Sequence, residues 1–164
     1  MASQAHLQQL QLGVDTWNQW RADNPNTRPD LSEVDLSGQN FAAIDLIEAN
    51  LTETNLQNAN LGDAQLLGAT LNRADLRNAN LSGAKLSRAS LVAANLTGAD
   101  LYRVDGTDVD LSQAILVDTN FRRATLTNAT LDDADLSKAA LQETVMPDGQ
   151  IQVQVRMVDF DPRG

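Results

Sequence analysis

The chain has 164 residues, no cysteine, and 22 acidic against 12 basic side chains, for a formal charge of −10. This composition excludes disulfides, thiolate catalysis and cysteine-based metal sites, and argues against nonspecific binding to nucleic acid or anionic membranes. No apolar run approaches the ~18 residues of a membrane span, and the length suits one elongated domain.

Met1 to Gly13 is rich in Gln and lacks the basic-then-apolar order of a secretory leader, so a cytoplasmic location is expected. Ser3 to Ala22 reads as a single amphipathic helix, with Leu7, Leu10, Val14, Trp17 and Trp20 on one face. Ser3 is its N-cap, Asn24-Pro25 stops it, and Gly13 inside it costs about 1 kcal/mol relative to Ala. Residues 1–28 are thus expected to form a capping helix and linker that lids whatever follows.

Residues 29–148 are a five-residue repeat. Every fifth residue from Leu31 to Met146 is large and apolar except Gly106, giving 24 units, of which 20 are centred on Leu. Ala stands two residues before the centre in 15 units, and a short polar residue fills the gap, as in Ala79-Asn80-Leu81. A period of five rotates successive leucines by roughly 140° on a helix and sends alternate ones to opposite faces of a strand. It makes sense if the chain bends once per unit, so that each Leu and its Ala both point inward. The outward positions carry Ser, Thr, Asn, Asp and Gly, which suit turns. The fold class is therefore an all-β solenoid. Phe41 and Phe121, 80 residues apart, favour 20 residues per coil over 15 and would then share one face. Six coils stacked at strand spacing make a rod of roughly 29 Å.

Within this stretch Val34, Gln39 and Ile44 replace the inner Ala, and Gln39 is expected near the core, bonded to the helix or a coil end. Ile47 and Leu67 follow their centres at a position that should face solvent, twenty residues apart, and form a candidate partner site. Gly106 removes one core Leu and permits a positive φ, so a locally bulged corner is expected there. Asp105, Asp108 and Asp110 nearby lack the spacing and closing Glu of a calcium loop, so no metal is expected. Arg103, Arg122 and Arg123 would gather on one side as a candidate anion or partner contact.

Pro147-Asp148-Gly149 is a turn signal. In the last segment, 149–164, Ile151, Val153, Val155 and Met157 alternate with polar residues as a half-buried strand. It would cover the last coil or pair with a second copy, so a monomer and a C-terminal homodimer both stand as expectations.

The run of A(D/N)LXX units, 120 of 164 residues, resembles the pentapeptide-repeat proteins. Trp17-Asn18-Gln19-Trp20-Arg21 followed by Asn24-Pro25 is similar to the helical lead-in of cyanobacterial members. The resemblance implies a right-handed quadrilateral β-helix with a dry interior, but no single function.

His6 is the sole histidine, and no nucleophile–base pair, metal cluster or phosphate-binding glycine loop is visible, so neither an enzyme nor a cofactor is expected. The expected role is a noncatalytic scaffold for an unidentified protein partner, with no direct contact to nucleic acid or membrane. The alternative, implied by some family members, is an acidic DNA mimic that inhibits a type II topoisomerase. Residues 1–63 carry 9 acidic and 2 basic side chains (−7), residues 64–103 carry 2 and 5 (+3), and residues 104–164 carry 11 and 5 (−6). The basic centre suits a DNA mimic poorly.

Overall fold

The computed structural model describes residues 2–152. Two short helices, α1 (Gln4–Leu10) and α2 (Val14–Asp23), precede the solenoid. In the solenoid every parallel bridge joins residues twenty apart, from Asp30↔Asn50 to Thr125↔Val145. Four units therefore complete a coil, and bridged residues form four columns that begin at Asp30, Asp35, Asn40 and Asp45. Phe41 and Phe121 share one register position, as the spacing predicts.

The repeat dictates this geometry residue by residue. The central Leu and the Ala before it are buried along the axis, most of them completely, from Leu51 to Leu126. Two residues after each centre from Leu31 to Leu131 the backbone turns left-handed. Every such position from Glu33 to Asp133 has φ between 55° and 70°, and 17 of these 21 are not glycine. The turn closes when the NH three residues on donates to the central carbonyl, as in Ala59 N to Leu56 O at 3.1 Å, the type II pattern. A left-handed non-glycine residue costs roughly 1–2 kcal/mol. The offset comes from its NH, which donates to the next coil: Glu53 to Asn72 O at 2.9 Å, Asp63 to Ser82 O at 2.9 Å.

The Asn or Asp before each centre has a matching task. Its Oδ1 accepts the NH two residues on, as in Asn50–Thr52 at 3.1 Å and Asn80–Ser82 at 2.9 Å. In the Asn40 column the side chains also bond coil to coil, Asn60 Nδ2 to Asn40 Oδ1 at 2.8 Å and Asn80 Nδ2 to Asn60 Oδ1 at 2.9 Å. The recurrent carboxylates thus report turn chemistry. Asp105 and Asp110 accept from Thr107 and Ser112, and Asp108 accepts from Asn128, so these three are engaged separately.

Several of these carboxyls are held below their ordinary range. Asp35 is lowered by the Ser37 hydroxyl and then its NH, Asp135 by the Ser137 NH and hydroxyl, and Asp75 by the Arg77 guanidinium. A depressed folded value stabilises the fold above the unfolded value near 4, and that stability disappears as pH falls through the lowered folded values. The melting temperature should therefore hold from pH 7 to 5 and drop between pH 4 and 2. A melting temperature unchanged at pH 2.5 would show that the Asx turns carry no net stability.

Thr54, Thr119 and Thr144 replace the inner Ala yet are fully buried. Their hydroxyls donate to the central carbonyl 23 residues earlier, Leu31 O at 2.8 Å, Leu96 O at 2.9 Å and Phe121 O at 2.6 Å. A buried hydroxyl needs such a partner.

Gly106 behaves otherwise than its type suggests. Its φ is not positive, its NH donates to Thr125 O at 2.8 Å, and Lys85↔Asp105↔Thr125 runs through unbroken. There is no bulge, because the left-handed position belongs to Asp108, two residues later. Room for a side chain is short: a Cβ at Gly106 would lie 3.0 Å from Leu126 Cδ2 and 3.3 Å from Val109 Cγ1. Val104 and Val109 are both buried where Ala is usual, and Val109 Cγ1 borders the space that the missing side chain would enter. Gly106→Leu, which restores the sequence pattern, should therefore destabilise by about 1–3 kcal/mol through overpacking. Adding Val109→Ala should recover most of the loss in a denaturant melt. Stabilisation by the single change would overturn this account.

The predicted single helix is two. Gly13, at φ 96° and ψ 165°, ends the run and turns the chain between α1 and α2. The break lets each helix meet a different column. From α1, Ser3 N donates to Asp30 O at 3.0 Å and His6 Nδ1 accepts from Asp30 N at 3.0 Å. From α2, Asn18 Oδ1 accepts from Asp45 N at 2.8 Å and Trp17 Nε1 donates to Asp45 O at 2.7 Å. Arg21, 4% exposed, reaches Thr27 O and Ile47 O, and its Nε lies 3.6 Å from the Asp45 carboxylate. Gln39 departs from expectation as well. It is exposed, because α1 and α2 leave its side of the first coil open.

At the other end the centres Leu131, Leu136 and Leu141 are only half-buried. Gly149, at φ 80°, turns the chain back, and Ile151 bridges Val145 antiparallel. That covers one column of the last coil. Val153, Val155 and Met157 lie outside the described residues.

Candidate interaction surface

The register gathers the sequence-predicted residues around one column, that of Asp45, Gln65, Lys85, Asp105, Thr125 and Val145. Arg103, Arg122 and Arg123 occupy the turns that enter this column, and Ile47 and Leu67 occupy the turns that leave it. The two groups flank the same strip from opposite sides and at different heights, Ile47 and Leu67 in the early coils and the arginines in later ones.

Ile47 and Leu67 are stacked, with the Leu67 carbonyl accepting from Glu48 N at 2.9 Å. Leu67 is 40% exposed, whereas Ile47 is half-buried. The expectation that both face solvent holds for Leu67 alone, because the α2 side chain Arg21 docks on the Ile47 turn.

The arginines also separate. Arg123 pairs with Glu143 at 2.8 Å and donates to the Tyr102 hydroxyl at 3.1 Å, and Arg122 donates to Gln142 at 2.7 Å. Glu143, with Tyr102, raises the Arg123 value further. Arg103 has no side-chain partner among the described residues and lines a cleft of about 310 Å³ with Lys85, Tyr102, Ser82, Gly83 and Asp63. The cleft exists because Gly83, at φ 70°, leaves the left-handed position without a side chain between Asp63 one coil earlier and Arg103 one coil later. Two cations and one carboxylate thus rim a polar hollow on an otherwise acidic chain. Sequence reasoning found Arg103 but not Lys85, Tyr102 or the gap at Gly83, whose only signal is that twenty-residue spacing aligns them. It also missed Ile115, 47% exposed where Asn or Asp is usual.

The family model for pentapeptide repeats matches in eight copies, over residues 30–68, 69–105 and 107–142. The chain belongs to the pentapeptide-repeat family. Among solved pentapeptide-repeat structures it is similar to HetL, a protein involved in heterocyst differentiation regulation from the cyanobacterium Nostoc sp. strain PCC 7120. The two are 29% identical over 77% of this chain and 78% of that one, with a TM-score of 0.35. A pentapeptide-repeat protein of the Arabidopsis thaliana thylakoid lumen is 32% identical over 60% of this chain and 65% of its own, with a TM-score of 0.39. Rfr23 from the cyanobacterium Cyanothece 51142 is 25% identical over 79% of this chain and 97% of that one, with a TM-score of 0.49. No curated protein matches the sequence. The family that matches is defined by a repeat and indicates no enzymatic activity.

Proposed function

We propose that this pentapeptide-repeat chain is a noncatalytic scaffold that docks a protein partner along the Asp45 column, and that its four columns are the sides of a right-handed quadrilateral β-helix. One observation carries the docking reading: a polar cleft with Arg103, whose side chain has no partner among the described residues, and an exposed Leu67 flank the same strip of backbone. A partner that presents an acidic group to Lys85 and Arg103 and an apolar side chain to Leu67 would engage both. The backbone beneath is fixed by coil-to-coil hydrogen bonds, so little ordering entropy opposes binding. The same cleft interrupts any continuous negative surface, which disfavours the DNA-mimic alternative.

Affinity capture with wild type, Leu67→Asp and Arg103→Glu tests the reading. One protein retained by wild type and lost by both variants, with unchanged melting temperatures, is the expected result. Retention by both variants, or inhibition of gyrase supercoiling that survives Arg103→Glu, would overturn it.

A further inference from the structure

The two helices complete only half of the first coil. Each later coil is hydrogen-bonded through its backbone to the coil before it, as Asn60 N donates to Gln39 O and Asn80 N to Ala59 O. In the first coil α1 and α2 supply substitutes at Asp30 and Asp45. Among the described residues, the NH and carbonyl of Asp35 and of Asn40 have no partner. These two positions are five residues apart on neighbouring columns, and both are exposed.

A hollow of about 230 Å³ opens at the same place, lined by Leu10, Gln11, Asp35, Leu36, Gln39 and Phe41. Leu10, Leu36 and Phe41 are the least buried members of the N-terminal core, at 7%, 9% and 7% exposure. The hollow is what a preceding coil would fill with its central apolar residue. Residues 1–63 carry a net charge of −7, their buried Arg21 is committed to carbonyls, and Arg28 is paired with Glu48.

From these observations we infer that the open Asp35–Asn40 edge is a binding site for a basic segment of a partner protein, which adds parallel to the coil and bends once between the two columns as a preceding unit would. The recognition rule follows from the register. A residue of the segment bonds to Asp35 through its backbone, the next residue is large and apolar and enters the hollow, and the pattern recurs five residues later at Asn40. Lys or Arg at the bonded positions would project outward beside Asp35. Main-chain bonds then give affinity and the hollow gives specificity. This end site is separate from the Asp45 column and does not rest on the scaffold reading of that surface.

The test uses the full chain and a synthetic peptide, acetyl-Lys-Ala-Lys-Leu-Thr-Lys-Ala-Lys-Leu-Thr-Lys-amide, followed by amide NMR and by hydrogen exchange. The Asp35 and Asn40 amides should shift and gain at least tenfold protection, while those of the Asp100 to Asp110 stretch should not. Replacing both peptide leucines by alanine should weaken binding at least tenfold. So should Gln39→Arg, an exposed change that should leave the melting temperature as it is. Asp35→Asn, which keeps the Asx turn seen at Asn55, should weaken binding severalfold. The inference is overturned if the Asp35 and Asn40 amides do not respond, or if the alanine peptide binds equally, which would mean diffuse charge attraction. It is also overturned if those amides shift with protein concentration in the absence of peptide, because a second copy would then be the occupant.

Discussion

Leu81→Ala should lower stability by about 3–5 kcal/mol, whereas Leu141→Ala should cost well under half of that. Leu81 is fully buried in the middle of the rod, with coils before and after it. Its removal forfeits the transfer free energy of the lost methyl and methylene groups and leaves a cavity that the surrounding structure cannot easily close. Collapse is prevented by the coil-to-coil bonds on either side, Leu61 N to Asn80 O at 2.6 Å and Leu81 N to Asp100 O at 2.7 Å, which hold the backbone spacing. Leu141 is half-buried in the last coil and loses less apolar contact. For a domain of this size the central change should lower the melting temperature by roughly 10 °C, since 1 kcal/mol corresponds to about 2–4 °C. Thermal and denaturant melts of the two variants decide the matter. Equal losses would mean that the leucine ladder is not what holds the rod together, and that the turn bonds dominate.

The comparison of Leu81 with Leu141 also shows what the sequence makes legible. The five-residue period names every core position from Leu31 to Leu126, because inward Leu and Ala are chemically unlike their neighbours. The left-handed residue in each unit is not legible, because Glu33, Arg73, Ala93 and Gln113 share no side-chain property. Their conformation is imposed by closure of the turn and by the NH they give to the next coil. Gly106 misleads for the same reason: glycine suggests a positive φ, yet the register had already assigned that role to Asp108. Gln39 could not be placed from its position in the repeat, since its exposure depends on where α1 and α2 stop. The candidate surface was half legible. Arg103, Leu67 and the twenty-residue alignment were in the sequence, but the fates of Arg122, Arg123 and Ile47 depend on side-chain partners and on how α2 docks.

Trp17 is the residue on which that docking turns, and Trp17→Ala should cost about 3–5 kcal/mol. Its indole is fully buried between α2 and the first coil, and it packs against Trp20 at a centroid distance of 5.1 Å. Its Nε1 also closes the Asp45 carbonyl at 2.7 Å. Two separable losses follow. Trp17→Phe should retain much of the packing and lose the hydrogen bond, which costs about 1–3 kcal/mol when a buried acceptor is left unsatisfied. Trp17→Ala should lose both and release α2, which also removes Asn18 from the Asp45 NH and Arg21 from the Thr27 and Ile47 carbonyls. Repeat architectures couple nearest neighbours and open from unprotected ends. The damage should therefore be graded along the rod. In native-state hydrogen exchange, the Asp45, Leu46 and Asn50 amides of Trp17→Ala should lose protection first, while Asn95 and Asp100 stay near wild type. Uniform loss across all coils would instead mean that the rod unfolds as one cooperative unit, with α2 as part of its core and not as a lid on its end.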